Sequence, residues 1–478
     1  MRKSRLNISE ALAEAKGLSE SPEISASIRA LISLLVSIIE LLTGKLNTDS
    51  TNSSLPPSQD PHRVRGSKRR GVVESPKRKP GGQVGHKGET LEMVAKPDVV
   101  EDLPIDRRTL PHGHIYKQVD CERRQVIDIE ISRKVTEYRA EIVEDECGNR
   151  YVAEFPDGVT RPVQYGASVK AEIVYQSAYQ LIPLRRVQEY LRDRAQIEIS
   201  TGTIQNVRRE CYKLLEGFEE QARFNLHHSP LVHFDETGVN INGKIAWLHN
   251  ASNAQWTLQI VHDKRGTEGI EALGVLPGYE GIACHDHWKP YFQYSDCLHV
   301  LCNSHHNREL ESAIDNEQQK WASDLKDLLE TMYIEKTNNN GEISKKGQAN
   351  YCHRYREIIS CGLKECTRME RKPGLRGRVK QTKARNLLER LRDYEDETLR
   401  FITSPDVPFT NNQAERDQRM TKVQQKISGC FRSMEGAKIH CRIRSFLSSA
   451  MKQGMTPTMA LSKLVQHSSP QSFVDLYY

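Results

Sequence analysis

Five short apolar runs crowd the stretch between Leu231 and Cys302, and they restrict the fold more than any other feature of the chain. They are LVHFD, IAWLHNAS, WTLQIVHD, GIACHD and CLHVLC. Each has strand length and is bounded by turn formers. Asn242-Gly243, between the first two, is a two-residue hairpin signal. A short helix is predicted near Thr267 to Leu273, before GIACHD. Three meandering strands, a helix, a strand, a short connection and a last strand predict an α/β core with a mixed sheet. From Asn303 to about Thr403 the pattern is mostly helical, interrupted by polar NNNGE and by the basic run LRGRVKQTKAR.

Two of the strand-like runs end in an aspartate, Asp235 and Asp286. Such residues either cap or turn the chain locally, or face a cleft at a strand end. A third acid lies in VPFTNNQAERDQRM, which reads as a loop entering a helix with Asn411 or Asn412 as its cap. Glu415 follows, beside Arg416, Asp417 and Arg419; taken alone, this is a solvated helix start. Were Asp235, Asp286 and Glu415 to meet at one sheet edge, their charges would need a cation. Oxygen ligands select Mg²⁺ or Mn²⁺. Two such ions about 3.5–4 Å apart can clamp the attacking and leaving oxygens of a phosphoryl displacement. Glu236 should point to the opposite strand face and is not expected to be a ligand. Trp288 and Tyr291 suit either base stacking or core packing, and His287 reads as local structure. Lys422, Lys426 and Arg432 are candidate phosphate contacts.

The rest of the chain falls into segments. Residues 1–46 form an N-terminal helical segment in which Ile28, Leu31, Leu35, Ile38 and Leu42 repeat at alternating steps of three and four, an a/d stripe. It suits packing within the chain as well as dimerisation. Residues 47–90 are a Pro/Gly/Ser-rich basic arm, expected to be flexible, which includes Arg69, Arg70, Lys77 and Lys79 and attracts polyanions. Residues 91–163 predict a small β-rich module from the alternation in RQVIDIEISRKVTEYRAEIVED. Residues 164–228 predict a helix-turn-helix-like pair, PLRRVQEYLRDRA then STGTIQNVRRECYKLLEGF. In a DNA-binding role its second helix, with Arg208 and Arg209, would enter a groove; two packed helices without that role fit equally. Then come the first part of the core (229–302), a helical insertion (303–404) and C-terminal core helices (405–478).

Eleven scattered cysteines read as reduced thiols rather than a disulfide framework. The most apolar run, ALISLLVSIIELL, is too short to span a bilayer and carries Glu40. A cytoplasmic, nucleoid-associated protein with no membrane partner is the expectation.

HFDETG, HDHWKPY, LCNSHHNREL, KARNLLERL, PFTNNQAERD and KVQQKISGCFRSMEGAKIHCRIRSFLSSA together resemble the IS66 family of bacterial insertion-sequence transposases. NSSLPPS and RKPGGQVGHKGET in the basic arm match it as well. The resemblance runs from about Asn47 nearly to the C-terminus. It implies a DDE transposase with an RNase H-like core and a metal-binding triad of Asp235, Asp286 and Glu415, with two Mg²⁺ or Mn²⁺ ions. Cys302 and His305 match a Cys-x-x-His motif whose implied job is structural. In one respect the chain departs: EDLPIDRRTLPHGHIY lacks the paired cysteines that relatives carry in this module. Cys147, Cys121, His112 and His114 do not make up a four-ligand site, so no zinc is expected there.

The resemblance further implies double-stranded DNA as partner, both terminal inverted repeats and target. A homodimer or larger assembly in synapsis and small accessory proteins are also implied. Two other readings stay open: a DNA-binding transposon relic or repressor without catalysis, and an RNase H-like nuclease or resolvase.

Overall fold

The computed structural model describes residues 8–20, 24–46, 91–117, 120–369 and 379–466. Helices α1 (Ile8–Glu20) and α2 (Ala26–Leu46) pack on each other. The stripe Ile28, Leu31, Leu35, Ile38 and Leu42 on α2 remains exposed. The basic arm, with Arg69, Arg70, Lys77 and Lys79, lies outside the described residues.

The segment 91–163, expected to be a small β-rich module, holds two short strands among its described residues. These are β1 (Ile142–Glu144) and β2 (Arg150–Val152), an antiparallel hairpin. Val126, Ile127, Ile129 and Val135 are all exposed. An alternating pattern becomes a stable strand only when something covers its apolar face, and no described residue covers this one.

Four helices follow: α3 (Ala167–Val174), α4 (Leu184–Ala195), α5 (Thr201–Leu214) and α6 (Glu216–His227). Ser200 caps α5, accepting the Thr203 amide at 3.0 Å. The predicted helix pair is therefore present, joined by a connection in which Gln196 takes a left-handed conformation, φ 53°.

The central sheet contains β3 (Leu231–Ile241), β4 (Lys244–Ser252), β5 (Thr257–His262), β6 (Ile282–His285) and β7 (Leu298–Leu301). Their order is β5-β4-β3-β6-β7, antiparallel across the β3–β4–β5 meander and parallel from β3 to β6 to β7. Helix α7 (Thr267–Leu273) carries the chain from β5 to β6. Asn242 and Gly243 both have positive φ, 48° and 82°, as a type I′ turn demands. One detail differs from expectation: β3 does not stop at Asp235 but runs on to Ile241. The hairpin with β4 sustains it after its parallel partner β6 has ended.

Beyond the sheet come α8 (Asn303–Glu317), α9 (Lys320–Asn338), α10 (Lys345–Glu365), α11 (Lys383–Asp393) and α12 (Glu395–Thr403). The chain ends, as described, with α13 (Asn412–Ser428), α14 (Met434–Lys452) and α15 (Pro457–Gln466). Helices α3 to α6, α14 and α15 share one apolar core with Val232, Phe234 and Ala283 of the sheet. Helices α8 to α12 surround a second core, built on Trp321, Leu325, Tyr355 and Leu388, which reaches the other side of the sheet at Cys284 and Val300. The sheet thus lies between two helical layers.

Helix α14 also protects the edge strand β5. The Thr257 and Gln259 amides donate to the Ser449 and Ser445 hydroxyls at 2.9 and 2.8 Å. Those amides would otherwise be an unpaired strand edge. No helix among the described residues is long and apolar enough to cross a membrane.

Candidate active site

Strand register brings the first two carboxylates together. The last parallel pair of β3 and β6 is His233 with Cys284. Two steps further along each chain stand Asp235 and Asp286, side by side where β6 has ended. Alternation puts Asp235 on the strand face opposite Phe234 and Glu236. The Asp286 carboxylate is turned locally by accepting the Trp288 amide at 2.9 Å.

Helix α13 brings the third. Asn411 precedes its first residue but does not cap it with its side chain. Instead the Asn411 amide donates to the Phe234 carbonyl at 2.7 Å, and its oxygen accepts from His233 Nδ1 at 2.8 Å. At the far end of α13, Phe431 bonds to the β3–β4 turn. Its amide donates to the Asn240 carbonyl at 2.9 Å, and its carbonyl accepts the Asn242 amide at 2.8 Å. The helix is therefore fixed to β3 at both ends, with Glu415 in its first turn. Asp417 and Lys452 add a buried ion pair at 2.7 Å that ties α13 to α14.

Electrostatics reports the convergence. Burial raises Asp235 well above the usual carboxylate range, and the negative charges of Glu236, Asp286 and Glu415 push in the same direction. Of the three acids, only Glu415 has a basic side chain within 4.0 Å among the described residues. Arg308 approaches it at 3.8 Å and His305 at 4.0 Å. Lys422 lies close by, donating to the Gly238 carbonyl at 2.6 Å. Burial lowers its ammonium and the charge of Asp235 partly restores it. The donor set of Asp235, Asp286 and Glu415 is all oxygen, which suits hard divalent ions. Among the described residues, however, these three do not form a group with one oxygen each within 4.8 Å of the others.

Glu236 is engaged elsewhere. It accepts the Tyr291 hydroxyl at 2.5 Å and two Arg265 N–H groups at 3.0 and 2.7 Å. The Arg265 guanidinium lies between the Trp247 and Trp288 rings, 4.8 and 4.6 Å from their centroids. Tyr291 is buried, so its ring is core and not a platform for a base. This network ties the segment after Asp286 to the back of the strand that carries Asp235. His287 packs edge-on against Tyr394 at 4.4 Å.

Of the remaining sequence candidates, Arg416, Arg419, Lys426 and Arg432 are exposed around α13. Cys302 is buried at the junction, its sulfur accepting the Asn411 amide at 3.1 Å. Two candidates sit differently from the groove-contact reading. Arg208 is turned inward, and burial lowers its guanidinium to about 10. Arg209 is tied to Glu435 of α14 at 2.7 Å. Helix α5 spends this face on α14 because Arg208 shares a helical stripe with Ile204 and Cys211, both buried. Sequence reasoning missed Arg265 and the role of the Asn411 side chain, and it did not find Lys336. The Lys336 ammonium donates to the carbonyls of Phe401, Ser404 and Val407 at 2.6–2.8 Å, holding the loop that leads to Asn411. No local signal marks any of these, since each acts on residues distant in sequence.

The family model for the transposase IS66 family matches residues 162–439 of the 478. The chain belongs to the IS66 transposase family. The match spans Asp235, Asp286 and Glu415, the sheet and the helices between them. For this IS66-family transposase, DNA is the partner that the family implies. No curated protein matches the chain.

Proposed function

We propose that the protein cuts and joins DNA at insertion-sequence ends by divalent-metal-dependent phosphoryl transfer, as a DDE transposase. The observation that supports this reading is that the charges of Asp286 and Glu415 both act on buried Asp235, the three acids coming from β3, the end of its parallel neighbour β6 and a helix held to β3. The strand order β5-β4-β3-β6-β7, with its antiparallel meander and two parallel strands, supports an RNase H-like core.

Asp235, Asp286 and Glu415 would hold one or two Mg²⁺ or Mn²⁺ ions. When bound, such ions activate a water or a DNA 3′-hydroxyl and neutralise the charge building on the phosphate. Lys422, whose ammonium feels the charge of Asp235, would meet a phosphate oxygen at the scissile position. Arg416, Arg419, Lys426 and Arg432 present positive charge around the same helix and would hold backbone phosphates. The basic arm, with Arg69, Arg70, Lys77 and Lys79, would add non-specific attraction to terminal repeats and target duplex. The exposed stripe on α2 supports pairing of two protomers across two ends. Cys302 and His305 shape the junction between sheet, α8 and α13. Small accessory proteins are part of the reading, as is a cytoplasmic place at the nucleoid.

The test is cleavage and strand transfer on labelled DNA carrying the element's own ends, with accessory proteins supplied. Nicking at the ends that needs Mg²⁺ or Mn²⁺ and stops with chelator supports the reading. Binding without cleavage under any metal would make the chain a DNA-binding relic.

A further inference from the structure

Beside the carboxylates stands a second group of ligand atoms, of softer character. One ligand atom each from Cys302, His305 and Glu415 lie within 4.8 Å of one another. Cys302 is the residue preceding α8, and His305 follows in the first turn of the same helix. The Cys302 sulfur accepts the Asn411 amide at 3.1 Å. Backbone amides of His305 and Ser304 also favour its ionised form, although burial outweighs them and holds the thiol up at about 11. Amide donors aimed at a sulfur favour a thiolate, the form that binds metal. The His305 imidazole is weakly engaged. Its Nδ1 is buried with no hydrogen-bond partner among the described residues, and its Nε2 is 4.0 Å from Glu415. A buried ring nitrogen without a partner calls for a role.

We propose that Cys302, His305 and Glu415 form a site for one thiophilic divalent cation of the zinc class. Sulfur, imidazole nitrogen and carboxylate oxygen are the donor set that such ions accept in tetrahedral sites, with the fourth position left to water or substrate. Mg²⁺ has little affinity for sulfur and does not compete for it. Binding releases the Cys302 thiol proton to solvent. The site lies in the core, away from the small module whose missing cysteines argued against zinc. A consequence rests on the function proposed above. A cation held here draws Glu415 away from Asp235 and Asp286, so a zinc-class ion inhibits a reaction that Mg²⁺ supports.

Titration of the purified full-length chain with Co²⁺ tests the site without DNA. The wild type is expected to develop a thiolate-to-cobalt charge-transfer band that Cys302→Ser lacks and that Zn²⁺ abolishes by displacement. The other ten cysteines are common to both proteins and cancel in the difference. His305→Gln and Glu415→Gln should each weaken Co²⁺ binding by about tenfold or more, since even outer-shell partners cost that much. Identical cobalt spectra for folded wild type and folded Cys302→Ser overturn the proposal. Should Cys302→Ser not fold, unchanged cobalt affinity in His305→Gln overturns it equally. Because the readout is spectroscopic, its failure leaves the DNA chemistry standing. The converse pair of results, a cobalt band in a chain that never cleaves, sinks the proposed function and not this site.

Discussion

The Asn411 side chain donates to the Phe234 carbonyl at 2.7 Å, one residue before Asp235. Its oxygen faces His233 Nδ1 at 2.8 Å, and its main-chain amide points at the Cys302 sulfur. A residue placed to cap its own helix instead fastens that helix to the strand bearing the first carboxylate. That side-chain amide holds the Glu415 end of α13 against β3, as the Phe431 bonds hold its far end. Removing it takes a hydrogen bond from the Phe234 carbonyl and one from His233 Nδ1. Asn411→Ala is expected to cost about 2–4 kcal/mol of stability, from two lost buried hydrogen bonds. Denaturant unfolding measures it, and a change below about 0.5 kcal/mol would contradict the role.

Asp417 and Lys452 are 9% and 13% exposed and 2.7 Å apart. Removing one member of a buried pair leaves a charge without compensation, so Lys452→Met should cost about 3–5 kcal/mol. Converting both residues to apolar ones should recover a large part of that loss. Equal unfolding midpoints for the wild type and Lys452→Met would show that the pair contributes nothing.

Much of this architecture was legible beforehand, and the reasons separate cleanly. Strand length, the Asn242-Gly243 turn and apolar runs are local properties, so the sheet could be read in advance. Membership of the family was legible because the motifs around Asp235, Asp286 and Glu415 resemble it, and the roles of these three residues stay part of the proposal. The alternation from Arg124 to Asp145 yields strand at Ile142–Glu144 among the described residues, since periodicity says nothing about whether a covering layer exists. Arg208 misled through its charge, although its spacing from Ile204 and Cys211 places it on the buried stripe. Asn411, Arg265 and Lys336 were not legible, since their partners lie far away in sequence.

The Glu236 network sets this carboxylate apart from the three proposed as catalytic. Glu236 is 1% exposed and meets Tyr291 and Arg265, whose side chain is 41% exposed. Glu236→Gln keeps the shape but weakens charge-assisted bonds, with an expected loss of about 1–3 kcal/mol in unfolding free energy. Metal-dependent cleavage should persist in this variant within about tenfold, a loss of roughly 1.4 kcal/mol in the barrier. Complete loss of cleavage with full stability would make Glu236 part of the reacting site.

Asp235 carries a pH dependence with a definite sign. Burial and neighbouring negative charges raise its pKa on folding. An acid raised in this way contributes stability that is full below its unfolded pKa, about 3.9, and is lost as pH rises through the folded value. Asn does not titrate, so metal-free Asp235→Asn should melt above the wild type at neutral pH, with the gap closing near pH 4. Mg²⁺ should stabilise the wild type and not the variant. Buried His285, His306 and His440 have lowered pKa values and pull the opposite way. The comparison is therefore made between variants at each pH, by thermal melts. A variant no more stable than the wild type at pH 7 would contradict the clustering of charges.

Lys426 is exposed on α13, whereas Arg208 is turned into the protein. Lys426→Ala should weaken binding to all DNA sequences alike and reduce the slope of log affinity against log salt by about 1. Arg208→Ala should lower stability without changing that slope. Fluorescence anisotropy across a salt series reads both, and exchanged outcomes would reinstate α5 as the groove helix.

The most direct measurement of the central claim is cleavage of labelled terminal-repeat DNA by the wild type and Glu415→Gln, in Mg²⁺ and in Mn²⁺, with binding followed in parallel. Loss of cleavage by about 10³-fold or more, some 4 kcal/mol of barrier, with binding unchanged is the expected result. Cleavage by Glu415→Gln at the wild-type rate would show that the helix fixed by Asn411 delivers no metal ligand, and the proposed mechanism would fall.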